Sequence, residues 1–404
     1  MNKTLCRKIL NSIDKEIKSI INEQFNIGNM NLNNAKPKRN VNIFNKNFNH
    51  PYYYKVLNGT VTENEIKELN SYVSVAIAEN KDDLKKIIEF YSKNYPKDSL
   101  NWLDVSVITD MSDLFNASVY NGNISKWDTS NVINMNAMFK NAKQFNQPIG
   151  EWDVSNITDM SSMFEFAYEF NQHIGKWNVS NVTDMSYMFF LTENFNKPIG
   201  DWDVSNVTDM SGMFWSAENF NQAIGDWDVH KVTNMNNMFH EAKNFNQDIS
   251  NWDVSNVIDM SDMFLNAKKF DQPISNWNVS NVTNMCGMFC NAKEFNQPIG
   301  EWDVSSVTNM RGMFSGAKEF NQPIGEWNVR HVTDMSCMFS DASNFNESIR
   351  QWDVSNVTDM NNMFYGALSF NQDISGWNIS DKTDINEMFE GCPIEEKYKP
   401  IKIK

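Results

Sequence analysis

The chain has 404 residues, 41% of them hydrophobic, with 51 Asp and Glu against 35 Lys and Arg, a formal charge of −16, and five cysteines. An acidic balance of that size disfavours nucleic acid as a partner, and an odd number of scattered cysteines argues against a disulfide framework and fits a reducing compartment. The charge is uneven, because residues 1–100 carry 16 Lys and Arg against 11 Asp and Glu and leave 19 against 40 for the remainder.

Residues 4–25 place Leu5, Ile9, Ile13, Ile17, Ile21 and Phe25 four apart, which predicts an amphipathic helix. Asp14, Lys15 and Lys18 interrupt any continuous apolar run, so the segment reads as neither a signal peptide nor a membrane span. Cys6 follows too short an apolar lead to accept a lipid. The helix is expected to pack on the rest of the head, the alternatives being helix-to-helix oligomerisation or membrane contact. Residues 26–50 are rich in Asn, carry the basic knot Lys36-Pro37-Lys38-Arg39, and read as a solvated linker.

From Pro51 to residue 100 the chain reads as a small α+β cap. Thr62 and Glu65 form a capping box for a helix to about Asn70. Val73, Val75 and Ile77 alternate as a strand would, and Asp82 to Tyr91 is a second helix ending before Pro96. A repeat array needs such a cover over its first unit.

Residues 101–390 are periodic. Tryptophans stand every 25 residues from Trp127 to Trp377, without insertion or deletion, and Trp102 joins the series with a slight irregularity. A fixed period in the range of roughly 20–50 residues marks an array whose units bury their apolar faces only against neighbours. Within one unit, Val154 to Met160 predicts a short strand; Met163, Phe164, Ala167 and Phe170 fit one face of a short helix with Ser161 as N-cap; and Asn171 to Gly175 reads as a turn. A helix is wider than the strand spacing, so a sheet of such strands is expected on a concave side. Methionines at Met160 and Met163 recur in every full repeat and read as core filler. Phe170 and its equivalents form a second buried column, and Asn171 and its equivalents, with Asp271 as the one exception, predict a polar ladder between units. Residues 391–404 read as a C-terminal cap.

The stretch Trp202-Asp203-Val204-Ser205-Asn206-Val207-Thr208-Asp209-Met210, continuing through Met213 and Phe214, and the later Phe295-Asn296-Gln297-Pro298-Ile299-Gly300, resemble the BspA-like leucine-rich-repeat surface proteins, a repeat also seen in mycoplasma lipoproteins. That resemblance covers about residues 98–390. It implies a right-handed, curved, leucine-rich-repeat-like α/β solenoid of about twelve coils, and a role in surface adhesion or protein binding with no catalytic residues to carry over.

Two surfaces are candidates for a partner. Phe190, Trp215, Leu265 and Tyr365 are large apolar residues in a column that otherwise holds polar ones, and they are read as anchors for a protein. The Thr158–Asp159, Thr183–Asp184 and Thr208–Asp209 pairs would line the sheet face with hydroxyls and carboxylates, which suits a basic protein. Stacked carboxylates also fit Ca²⁺. Asn replaces Asp at Asn134, Asn234 and Asn284, however, so an Asx turn that needs only an oxygen acceptor is the favoured reading of this column.

Cys286 and Cys290 lack a histidine partner for zinc, and neither a Ser/His/Asp set nor a Gly-rich phosphate loop is visible. The expected function is therefore a non-enzymatic binding or adhesion scaffold, the alternative being a surface-layer or virion component assembled through residues 1–25 and the array ends. Asn-x-Ser/Thr sites recur repeat after repeat, as at Asn156 and Asn181, and glycans on all of them would collide. With neither a signal peptide nor a lipid-accepting cysteine visible, an intracellular or virion-associated location is expected, whereas the resemblance implies the cell surface.

Overall fold

The computed structural model describes residues 52–403. The expected helix over residues 4–25, the linker to residue 50, Cys6 and the basic knot lie outside the described residues. No described helix is long and apolar enough to cross a membrane.

The chain first builds α1 (Tyr53–Leu57), α2 (Glu63–Leu69), β1 (Ala76–Ile77) and α3 (Lys81–Asn94). Thr62 caps α2 in the expected capping box, accepting from the Glu65 N–H while the Glu65 carboxylate accepts from the Thr62 N–H at 2.9 Å. Asn80 caps α3, which buries Leu84, Ile87, Ile88 and Tyr91 on one face. The strand expected around Val73 to Ile77 is only two residues long. It pairs in parallel with β2 (Leu103–Asp104), Ala76 opposite Leu103. Helix α1 was not legible in the sequence; it buries Tyr53 and Val56 and packs against α3.

In the repeats, the expected strand and helix are both replaced. Between Val105 and Asn378 no helix forms, and the strand shrinks to a single parallel bridge per repeat, running Asp110–Asn134–Asp159–Asp184 and onward to Asp384. Residues after the bridge form overlapping turns. Met163, Glu165 and Ala167 donate to carbonyls three residues back, while the alternating Met160, Ser162, Phe164 and Phe166 donate to Asp184, Ser186, Met188 and Phe190 of the next repeat at 2.8–3.1 Å. A helix would direct all of these bonds inward, whereas here every second one crosses to the neighbour.

The alternation requires left-handed backbone at two positions per repeat, four residues apart: Ser162 (φ 56°) and Phe166 (φ 58°), then Tyr187 (φ 55°) and Leu191 (φ 55°). An L-residue there costs roughly 1–2 kcal/mol. The inter-repeat bonds that the same residues donate, Ser162 to Ser186 and Phe166 to Phe190, hold them in place. Ser161 is accordingly not a helix N-cap: its N–H and hydroxyl both donate to Asp159 Oδ1, closing an Asx turn. With no helix in the repeat, the inference of a concave sheet face loses its basis.

Like side chains meet like. Successive indoles lie parallel, Trp202 and Trp227 at 6.4 Å and 2°, and each Trp Nε1 donates to a carbonyl of the preceding repeat, as Trp252 does to Ile224 at 3.0 Å. Phe164 stacks on Phe189 at 5.7 Å and on Phe170 of its own repeat at 3.8 Å. The Met160 and Met163 columns are buried throughout the full repeats. Each such large side chain contributes roughly 1.5–3 kcal/mol on burial, so most cohesion lies between repeats.

Both ends are covered. Trp102, with no repeat before it, donates instead to Tyr91 of α3 at 3.0 Å, and Lys81 bonds Asp110 and Ser112. At the other end β3 (Ile379–Ser380) pairs in parallel with β4 (Lys402–Ile403), and Glu395 N–H occupies Asn371 Oδ1, the acceptor that a further repeat would have used.

Candidate partner-binding surface

The column containing Phe190 lies just before the second left-handed residue of each repeat. The Phe190 N–H donates to Tyr187 O and its carbonyl accepts from Phe166, so the backbone is held from both sides and the side chain lies beside its counterparts above and below. In three adjacent repeats those counterparts are aromatic. Phe190 and Trp215 have centroids 4.7 Å apart, and Trp215 lies on His240 at 4.6 Å and 11°. Phe166 meets Phe190 edge-on at 5.0 Å, and Tyr187 flanks Trp215 at 6.4 Å.

All of these rings are half-buried. The strip follows the ion pair Lys140–Glu165 (2.9 Å) in the same column. Leu265, half-buried, occupies the next repeat after His240. Tyr365 does not join them: Cys290, Ser315 and Ser340 intervene, and it stands apart with 37% exposure. Sequence reasoning missed Phe166, Tyr187 and His240, whose signal was their position beside Phe190 and Trp215 in neighbouring repeats. Burial lowers the pKa of His240, and its Nδ1 lies 2.9 Å from Asn237 Oδ1.

The Thr column runs beside the bridged Asp column. Thr158, Thr183 and Thr208 are exposed, but Thr183 and Thr208 donate their hydroxyls to the Thr158 and Thr183 carbonyls at 3.2 Å, and Thr158 donates to Ile133 at 3.4 Å. Asp159, Asp184 and Asp209 are half-buried, each accepting at Oδ1 the N–H two residues on. That face therefore spends its donors within the stack. Among the described residues no group of three or more His, Cys, Asp or Glu converges as a metal site. The Asn156 and Asn181 amides likewise donate to carbonyls of the preceding repeat at 2.7 Å.

Burial raises the thiol pKa of Cys286 to about 11 and moves those of Cys290 and Cys337 in the same direction. Thiols held protonated are poor nucleophiles at neutral pH.

The fixed period, the inter-repeat hydrogen bonds and the stacked columns define a tandem-repeat protein. It belongs to the family described as "Mycoplasma protein of unknown function, DUF285", whose model matches residues 82–199, 184–300 and 287–399. No curated protein matches the chain. Among solved structures, the chain is similar to one described as "Crystal structure of TLR13-ssRNA13 complex"; the match has 11% sequence identity, a TM-score of 0.23, and covers 80% of this chain. The chain spans about half, 54%, of the length of that solved chain.

Proposed function

We propose that this protein is a non-enzymatic, leucine-rich-repeat-like solenoid that binds a protein partner through the strip formed by Phe166, Phe190, Trp215 and His240. The observation that carries the reading is the clustering: Phe190, Trp215 and His240 occupy one column in three consecutive repeats and touch in succession, and Phe166 of the preceding repeat meets Phe190. Rigid, half-buried aromatics are the side chains that dominate binding energy. The net negative charge of the chain suits a basic partner. Adhesion at a cell surface, in the manner of BspA-like proteins, is one setting for such binding. The covered ends give no support to end-to-end assembly.

The test is photocrosslinking from a benzophenone amino acid at position 215, followed by affinity measurement of the captured protein against wild type and Phe190→Ser/Trp215→Ser. Loss of about tenfold or more at unchanged Tm supports the strip. Equal affinity, or capture equally efficient from position 365, overturns it.

A further inference from the structure

The chain has 13 tryptophans, and twelve of them engage the indole N–H: Trp102 donates to the Tyr91 hydroxyl and the eleven of the periodic series donate to main-chain carbonyls. Trp215 is the thirteenth, and its Nε1 has no hydrogen-bond partner among the described residues. The only buried side-chain N or O atom left without a partner among them is Asn70 Oδ1, so the Trp215 N–H reaches the surface of the strip. A half-covered indole with a free N–H is a donor in want of an acceptor.

His240 supplies the complementary group. Its ring lies on Trp215 at 4.6 Å and 11°, and its Nδ1 is held 2.9 Å from Asn237 Oδ1, an acceptor, so the neutral ring carries its proton on Nδ1. Nε2 is then a bare acceptor, and it too reaches the surface without a partner among the described residues. The charged groups around it are engaged or turned away. Glu241 accepts the Ser216 hydroxyl at 3.0 Å and the Asn266 amide at 3.5 Å, Lys243 is ion-paired with Glu218, and Asp262 of the next repeat leans onward, its Oδ1 lying where a Cβ on Gly287 would be.

Resting on the strip as the binding surface, we propose that Trp215 Nε1–H and His240 Nε2 are a specificity-determining pair that reads a main-chain peptide group of the protein partner, its C=O on the indole and its N–H on the imidazole. A carboxylate only accepts and meets Glu241, whereas an ammonium or guanidinium only donates and leaves the indole N–H unmatched. An Asn or Gln carboxamide has both groups but surrenders side-chain freedom to align them; a main-chain amide is already oriented by its own chain. The pair works only while His240 is neutral, because a proton on Nε2 turns the acceptor into a donor. The bound strip therefore holds the neutral ring, so affinity is level at higher pH and falls as pH drops through the His240 value, which burial places below the ordinary 6.5.

The test titrates the protein captured by crosslinking from position 215 into full-length variants by calorimetry. Benzothienylalanine at position 215 keeps the fused ring and puts sulfur in place of the N–H; it is expected to weaken binding about tenfold with Tm unchanged. His240→Phe is expected to weaken binding at neutral pH and to remove the acid decline in affinity that wild type shows. Wild-type affinity in the benzothienylalanine variant, or an undiminished acid decline in folded His240→Phe, overturns the inference, and the strip itself stands if Phe190→Ser/Trp215→Ser still loses affinity. Unchanged binding by that double variant, or no captured protein, removes the strip and this inference with it. In the free protein the Trp215 indole proton is expected to exchange with D2O fastest of the 13; protection equal to the others overturns the inference without any partner.

Discussion

Asn321 Oδ1 accepts the backbone N–H of Asn346, one repeat on, at 2.8 Å. This bond turns a polar side chain into a strut between repeats, and the carboxamide oxygen alone makes it. Asn321→Ala leaves a half-buried N–H unpaired and is expected to destabilise the protein by about 1–3 kcal/mol. Asn321→Asp should cost well under half as much, since Asp271 serves the same role. Urea unfolding of the two variants measures the difference.

Trp252→Phe removes one of the two donors to the Ile224 carbonyl, the indole N–H at 3.0 Å, leaving the Trp227 N–H at 3.2 Å, and leaves part of the indole volume empty. A loss of about 2–4 kcal/mol is expected, readable as a lower unfolding midpoint.

The left-handed columns give substitutions of opposite sign. Gly316 has φ +66°, and a Cβ there would lie 2.3 Å from Asn291 Oδ1. Gly316→Ala is expected to destabilise by about 1–2 kcal/mol. Ser162 at φ 56° has no side-chain hydrogen bond among the described residues, so Ser162→Gly should be neutral or stabilising by a few tenths to about 1 kcal/mol. Thermal unfolding distinguishes these signs.

Acid sensitivity follows from the Asx turns. Hydrogen bonds from the Ser hydroxyl and N–H two residues on lower the carboxyl pKa values of Asp203, Asp253, Asp303 and Asp353. The unfolded chain takes up these protons first, so the stabilisation is present above the ordinary value of about 3.9 and is lost as pH falls through the depressed values. His240, also lowered, adds a loss that begins higher, as pH falls below the ordinary histidine value of 6.5. Stability measured from pH 7 downward should decline in two stages, and His240→Phe should abolish the first.

Much of the fold was legible because stacking copies the sequence period into space: the Trp, Phe and Asn columns and the Thr62–Glu65 box stand as the residues imply. The repeat's interior was not. Met163, Phe164, Ala167 and Phe170 have helical spacing, but turns of alternating hand bury the same set. The available signal was glycine at Gly212, Gly287 and Gly312 in one left-handed column and at Gly316, Gly366 and Gly391 in the other, diluted by Tyr187, Leu191 and other residues that are rare there. For the candidate strip, the sequence marked Phe190 and Trp215 as unusual. Only contact distances exposed His240 and Phe166 as their neighbours and separated Tyr365 from them.

The central physical claim is that repeats join in strict 25-residue register, each completing its neighbour's bonds. The direct test compares two internal deletions by near-UV circular dichroism and thermal unfolding: residues 227–276, two whole periods that join Asp226 to Trp277, and residues 227–264, which break the period. Strict register predicts a cooperative transition and a native-like tryptophan spectrum for the first deletion and neither for the second. Collapse of the in-register variant, or equal folding of both, would contradict it.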